Sequence, residues 1–263
     1  MVAAAVNDNA VLLDVDRVAV RFGGIVALDD VSFDICTGQI CGLIGPNGAG
    51  KTTLFNCLSR LYRCDKGSIV FAGQRLTELP RHRMAALGIG RTFQNLALFK
   101  TMTVTENILV GCHSRQHSGF LRSALNWRGV AAEEAAARQH AAELMDFLKL
   151  GAVAQRCVGE LPFGTQKRVE LARALASRTR LLLLDEPACG LNHREVDALA
   201  SVIGEIRERR AVTILLVEHH MQLVMGVCDK VVALNFGRKI AEGTPAEVRA
   251  HPGVIEAYLG VSH

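Results

Sequence analysis

The run Ile40-Cys41-Gly42-Leu43-Ile44-Gly45-Pro46-Asn47-Gly48-Ala49-Gly50-Lys51-Thr52-Thr53 joins a short apolar segment to a glycine-rich turn and then to a helical pattern. Residues Ile40 to Ile44 are apolar without a break, which suits a central strand covered on both faces. Gly45 to Thr52 fit G-x-x-x-x-G-K-[ST], and the stretch Thr53 to Leu61 reads as a helix. Strand before and helix after are the context that gives this pattern its physical meaning. The glycines permit a tight backbone that turns N–H groups inward, and the helix start adds positive dipole, so the turn suits phosphates. There Lys51 is expected to reach the β- and γ-phosphates of ATP, and the Thr52 hydroxyl to bind Mg²⁺. The candidate nucleotide-binding residues are therefore Gly45, Pro46, Asn47, Gly48, Ala49, Gly50, Lys51, Thr52 and Thr53.

Two further apolar runs end as abruptly. Leu181 to Leu184 stop at Asp185-Glu186-Pro187, and Val212 to Val217 stop at Glu218-His219. Each is too short for a buried helix. Parallel strands of this kind deliver their polar ends to one crevice, where open α/β sheets bind ligands. Asp185, at a strand end, is suited to hold Mg²⁺. Glu186, next in line and pointing elsewhere, is suited to polarise an attacking water as general base.

The 263 residues, 49% hydrophobic, suffice for one sizeable core, so a single domain is expected. Lys+Arg of 30 against Asp+Glu of 26 leave a net charge of +4, without the dense basic stripe of a nucleic-acid binder. Arg81-His82-Arg83 reads as a solvated face. The 8 cysteines include no CxxC pair, so zinc-ligand spacing is absent. Cys41 and Cys57, in apolar runs, read as small core residues of a reduced, cytosolic protein. Met1 to Ala10 lack the basic start and apolar stretch of a signal peptide. No apolar run approaches the roughly 18 residues that cross a bilayer.

Away from this centre the chain changes character. Leu12 to Ile35, with its β-branched residues and Gly23-Gly24, reads as short strands, and Ser68 to Leu76 as a hairpin around Gly73-Gln74. From Thr101 to Leu150 helix takes over; Ala131 to Leu150 are rich in Ala, Glu, Leu and Arg, with Gly151 placed to cap them.

The glycine-rich turn, Gln94 within Arg91-Thr92-Phe93-Gln94-Asn95, Leu161-Pro162-Phe163-Gly164-Thr165-Gln166-Lys167-Arg168, Asp185-Glu186-Pro187 and His219 follow in an order that resembles the ATP-binding subunits of ABC transporters, over roughly Leu12 to Gly260. The resemblance implies an α/β fold: a P-loop (RecA-like) core with a mostly parallel sheet, an N-terminal antiparallel β subdomain, and a helical subdomain inserted between Gln94 and the signature region. It implies one ABC ATP-binding domain over 11–260, with core and β subdomain at about 11–92 and 178–260 and the helical subdomain at about 95–177. It also implies that Gln94 touches Mg²⁺ and the attacking water, and that His219 contacts the γ-phosphate and Glu186. Glu186, His219 and Gln94 are then the catalytic set, Thr52, Asp185 and Gln94 the Mg²⁺ set, and Phe22 the ring that stacks on adenine.

Leu161, Pro162, Phe163, Gly164, Thr165 and Gln166 stand where the family carries its LSGGQ signature, which in those proteins grips the γ-phosphate of ATP held by the opposite subunit. They open a helical run in which Val169, Ala172, Leu175 and Ala176 repeat at helical spacing. The motif departs from the family pattern. Pro162 replaces a serine and so lacks both hydroxyl and N–H, Phe163 replaces a glycine, and Thr165 replaces the glutamine. Grip on the opposite phosphate then rests on Gly164 and the helix N-terminus. His220 and Asn192, the latter in Cys189-Gly190-Leu191-Asn192, stand where aspartate is usual. Leu96, Leu98 and Phe99 either line a groove for a membrane subunit or belong to the core.

Gly90-Arg91-Thr92-Phe93-Gln94, the segment Gly111 to Ala131 and the ending Asn235 to Gly260 resemble the branched-chain amino acid uptake ATPases, with related urea and short-chain amide importers sharing much of this. The resemblance implies import of solute, a second ATP-binding subunit in a homo- or heterodimer, two integral membrane permease subunits, and indirectly a periplasmic or extracellular solute-binding protein. It implies a peripheral place on the cytoplasmic face of a bacterial cell membrane, and no nucleic acid. Three rivals share parts of the pattern. A soluble P-loop kinase has no need of Gln94, the Leu161 to Arg168 segment and His219. A chromosome-maintenance ATPase inserts long coiled coils for which this chain has no room. A module that only senses nucleotide has no need of Glu186 as a base.

Overall fold

Val11–Phe22 (β1) and Ile25–Cys36 (β2) pair antiparallel, and alternate side chains of β1 such as Leu13, Val15, Val18 and Val20 enter the core. Short strands were expected here; instead each runs for 12 residues. Arg17 and Asp30, with φ of 46° and 58°, form irregularities over which the strands continue. Lys66–Phe71 (β4) joins β1 on its other side, and Gln74–Arg75 (β5) completes an antiparallel sheet of order β2-β1-β4-β5. The hairpin turn lies at Ala72-Gly73, one residue earlier than expected, because both residues take positive φ as a tight hairpin turn requires.

The computed structural model describes residues 10–93, 96–112 and 127–259. The chain divides into two compact units, one of Met1–Met84 with Leu183–His263 and one of Ala85–Leu182.

The first unit also holds the central sheet. Ile40–Ile44 (β3) lies between Thr213–Val217 (β8) and Lys230–Asn235 (β9), parallel to both, and Arg238–Gly243 (β10) turns back antiparallel on β9. Leu181–Asp185 (β7) is the neighbour of β8. Every residue of β3, β7 and β8 is buried, as their largely apolar runs require, and the polar Thr213 and Asp185 are buried with them. Lys51–Leu58 (α1) follows the glycine-rich turn and ends where Arg60 takes a φ of 58°, short of the expected Leu61. Arg83–Leu87 (α2) spans the change of unit. His193–Arg210 (α6) starts on a capping box in which Asn192 accepts from Glu195 N–H and Glu195 from Asn192 N–H. Met221–Val227 (α7), Pro245–Ala250 (α8) and Pro252–Leu259 (α9) complete the unit.

In the second unit, Ile89–Arg91 (β6) precedes the helices Val104–Cys112 (α3), Trp127–Phe147 (α4) and Phe163–Leu175 (α5). Gly111 lets α3 approach α5 closely, since a Cβ there would lie 2.3 Å from the Arg173 carbonyl oxygen. Gly151 does not cap α4. Lys149 takes the left-handed conformation (φ 55°), and Leu150 N–H closes back on Met145 O at 2.7 Å, so the helix stops a turn earlier. Leu98 is core, whereas Phe99 is exposed. Asn107, fully buried, accepts the Phe99 N–H and donates to the carbonyls of Phe99 and Thr103.

Candidate functional site

Three strand ends of the first unit carry the polar groups. β3 runs into Gly45, whose φ of 147° and whose approach to the Leu234 carbonyl, 2.2 Å from where a Cβ would sit, admit no side chain. Gly50, with φ of 100°, likewise leaves no room for a side chain, since a Cβ there would lie 2.6 Å from the Ala27 carbonyl oxygen. Ala49 is buried, while Asn47, Gly48 and Thr52 face outward. The turn is clamped from behind: Gly237 N–H donates to Ala49 O at 3.1 Å, and Gly45 N–H donates to the Tyr258 hydroxyl at 2.9 Å.

Lys51 is buried and folds back so that its Nζ donates to Gly45 O at 2.7 Å and Pro46 O at 2.9 Å. Burial pushes its pKa down, while the negative charges of Glu186 and Asp185 pull it up. That influence ties the lysine to the acids at the end of β7. Asp185 is buried at the strand terminus. Glu186, at φ 46°, turns out of the strand, and its N–H donates to Val217 O at 2.9 Å. His219 follows β8, and its Nδ1 lies 3.6 Å from Oε1 of Glu186, longer than a hydrogen bond. Lys51, Asp185, Glu186 and His219, named from separate segments, are thus brought together by the first unit.

Phe22, at the end of β1, is exposed and meets Tyr62 edge-on with ring centroids 5.2 Å apart. Tyr62 carries no local signal, and Tyr258, within the ending that resembles the branched-chain uptake ATPases, carries none that links it to Gly45. Glu218 was read only as part of a polar strand end, yet it is 1% exposed and accepts N–H bonds from Ala188, His219 and His220. His220 stands at the N-cap position of α7 without a side-chain capping bond, and its ring meets His193 edge-on at 6.4 Å.

The second unit carries the remaining candidates. Leu161 is buried, Pro162 is the N-cap of α5, and Phe163 opens the helix with its ring exposed. Thr165 and Gln166 N–H both donate to Pro162 O, and the Gln166 side chain folds back onto Leu161 O at 2.8 Å. Among the described residues nothing accepts from the N–H groups of Phe163 and Gly164, the helix-end donors that proline leaves in place. Lys167 lies 5.5 Å from the Phe163 ring centre. Gln94 lies outside the described residues. Glu170 of α5, 2% exposed and with burial pushing its pKa up, accepts Phe93 N–H at 3.1 Å on the near side of that segment.

The glycine-rich turn and the strand-end acids lie within residues 28–189, which match the ABC transporter family model. The chain belongs to the ABC transporter family. A second model, that of the branched-chain amino acid ATP-binding cassette transporters, matches residues 238–263. The chain is 43% identical over 249 residues to the high-affinity branched-chain amino acid transport ATP-binding protein BraF of Pseudomonas aeruginosa, covering 95% of this chain and 98% of that one. It is 41% identical, with the same coverage, to the corresponding protein LivG of Escherichia coli. A crystal structure of a nucleotide-free ATP-binding cassette from an ABC transporter superposes with a TM-score of 0.81 at 30% identity, covering 95% of this chain and all of the other (100%). The ADP conformation of such a cassette gives the same TM-score of 0.81 with 95% and 99% covered. The α/β class expected from the three apolar runs is the class these cassettes share, and this ABC ATPase is an ATP hydrolase of that family. Among the described residues no helix is long and apolar enough to cross a membrane.

Proposed function

We propose that this ABC ATPase binds and hydrolyses ATP with Mg²⁺ to drive import of branched-chain amino acids, working from the cytoplasmic face of the membrane as one of two ATPase subunits beneath two permease subunits. The meeting of Lys51, Asp185, Glu186 and His219 at the ends of β3, β7 and β8 carries the reading of the reaction. The names of the relatives and the match over 238–263 support the solute.

In this reading the turn from Gly45 to Thr53 wraps the phosphates and Phe22 receives the adenine. Lys51 exchanges its two carbonyl partners for phosphate oxygens. Mg²⁺ is bound by few protein groups when phosphates complete its shell. The outward Thr52 hydroxyl and the Asp185 carboxylate, with Gln94, suit that; the ion supplies neutralisation of charge on the β- and γ-oxygens. Glu186 takes a proton from the water that attacks the γ-phosphorus, the bond to the β–γ bridging oxygen breaks, and ADP and phosphate leave. His219, beside Glu186, orients that pair. The helix-end N–H groups of Phe163 and Gly164 are offered to the γ-phosphate of a second subunit's ATP. Only a difference in ATP affinity between closed and open dimers can shift a membrane partner between states.

The test is Glu186→Gln in the assembled transporter, measuring ATP binding, ATP turnover and uptake of labelled leucine into vesicles. Retained binding with turnover and uptake abolished is the expected result, and near-normal turnover would exclude Glu186 as base. Wild-type vesicles that accumulate urea or an amide and not leucine would overturn the solute.

A further inference from the structure

We infer that Glu218 is a positioning residue that holds the loop of Glu186 and the loop of His219 in register, an inference that rests on the roles proposed for those two residues. Glu218 follows β8 and is 1% exposed. Its Oε1 accepts the N–H of Ala188 at 2.7 Å, and its Oε2 accepts those of His219 at 3.1 Å and His220 at 3.2 Å. Ala188 lies in the loop after β7, two residues past Glu186, and His219 lies in the loop after β8. One side chain therefore spans both loops.

Burying a carboxylate is costly unless its oxygens are satisfied. Three bonds from backbone N–H groups to its two oxygens offset that cost. A residue that merely terminated a strand would point to water. Glu218 is not itself the base, because both its oxygens are engaged by the backbone. A backbone bond from Glu186 N–H to Val217 O at 2.9 Å also joins the ends of the two strands. Glu186 sits in a left-handed conformation at φ 46°, which persists only where its surroundings over-determine it. Removing the carboxylate strips acceptors from Ala188, His219 and His220 together, and the 3.6 Å spacing of Glu186 and His219 is then free to change. None of these bonds involves Gly45 to Thr53, so the effect falls on the chemical step and spares the grip on nucleotide.

The experiment compares Glu218→Gln, Glu218→Asp and Glu186→Gln in the full chain assembled with its membrane complex, measuring ATP turnover against concentration and the affinity for a fluorescent ATP analogue. Glutamine keeps the shape but turns an amide donor toward N–H groups. Aspartate keeps the charge, serves the adjacent His219 and His220 N–H groups, and falls short of Ala188. Both are expected to lower kcat about 10- to 100-fold, the scale of a misplaced catalytic group. KM and analogue affinity stay within about threefold, as for loss of a purely transition-state effect. Wild-type kcat in either folded variant overturns the inference, as does a fall in affinity matching the fall in kcat. Should Glu218→Gln fail to fold, Glu218→Asp decides. Turnover surviving in Glu186→Gln sinks the assignment of the base; Glu186→Gln dead beside active Glu218 variants sinks the role of Glu218 alone.

Discussion

The hydroxyl of Tyr258 accepts the N–H of Gly45 at 2.9 Å, so the last described helix closes on the first residue of the glycine-rich turn. Burial pushes the phenol pKa up and the Gly45 bond pulls against it, leaving the hydroxyl neutral at physiological pH. Gly45 also lies against the Leu234 carbonyl, where only glycine fits. Tyr258, within the segment that matches the branched-chain family model, therefore braces the glycine-rich turn.

Tyr258→Phe keeps the ring and deletes the acceptor, leaving the Gly45 N–H without its partner. An unsatisfied buried donor costs about 1–3 kcal/mol. A lower unfolding temperature and a higher KM for ATP are expected in scanning calorimetry and steady-state assays. Unchanged values in both would show that the C-terminal helix does not support the turn.

Lys51→Ala removes a charged group whose Nζ is held by the carbonyls of Gly45 and Pro46. Charge-assisted contacts to phosphate are among the stronger hydrogen bonds, so ATP affinity is expected to fall by at least about tenfold in titration calorimetry. Undiminished affinity would remove Lys51 from the phosphate site.

Pro162→Ser supplies a side-chain oxygen at a helix N-cap that now has none. A capping serine stabilises a helix start by about 1 kcal/mol. Stronger ATP-dependent dimerisation is expected in sedimentation velocity. An identical sedimentation profile with ATP for both proteins would show that the proline is no handicap.

Lys230 donates to Asp34 and to Glu242, and Glu242 also receives Lys239. Burial alone would raise the Glu242 pKa, but the hydrogen bonds from Lys230 and Lys239 hold it below the usual carboxylate range. A depressed carboxyl contributes stability that is present above its unfolded pKa, about 4.3, and lost as pH falls through the folded value. Lys230 is shifted the other way: burial lowers it, its bonds to Glu242 and Asp34 outweigh that, and its contribution is lost only as pH rises through its raised pKa. The gap in unfolding temperature between the native chain and Glu242→Gln is therefore expected to be full at pH 7 and to close below about pH 4. A gap constant across a fluorimetric pH series would contradict this.

Much of the architecture was legible in local pattern. Unbroken apolar runs at Ile40 to Ile44 and Leu181 to Leu184, and the run Val212 to Val217 broken only by Thr213, mark strands buried on both faces, because only such a strand hides every side chain. The glycines of the turn after β3 were legible for a similar reason, since their backbone conformation excludes other residues. Cys41 and Cys57 are buried, as their apolar neighbours indicate. Elsewhere local pattern misled: a glycine at 151 looked like a cap, but the helix turned off at Lys149.

By itself the chain's sequence determined which segments are central strands and where the glycine-rich turn lies, because each follows from neighbours within a few positions, and the order of its motifs along the chain determined the family. Only the tertiary structure decided what supports them. Glu218 reaches Ala188 across 30 positions and Tyr258 reaches Gly45 across 213, and a hydrogen bond between such distant residues leaves no periodic trace in either segment.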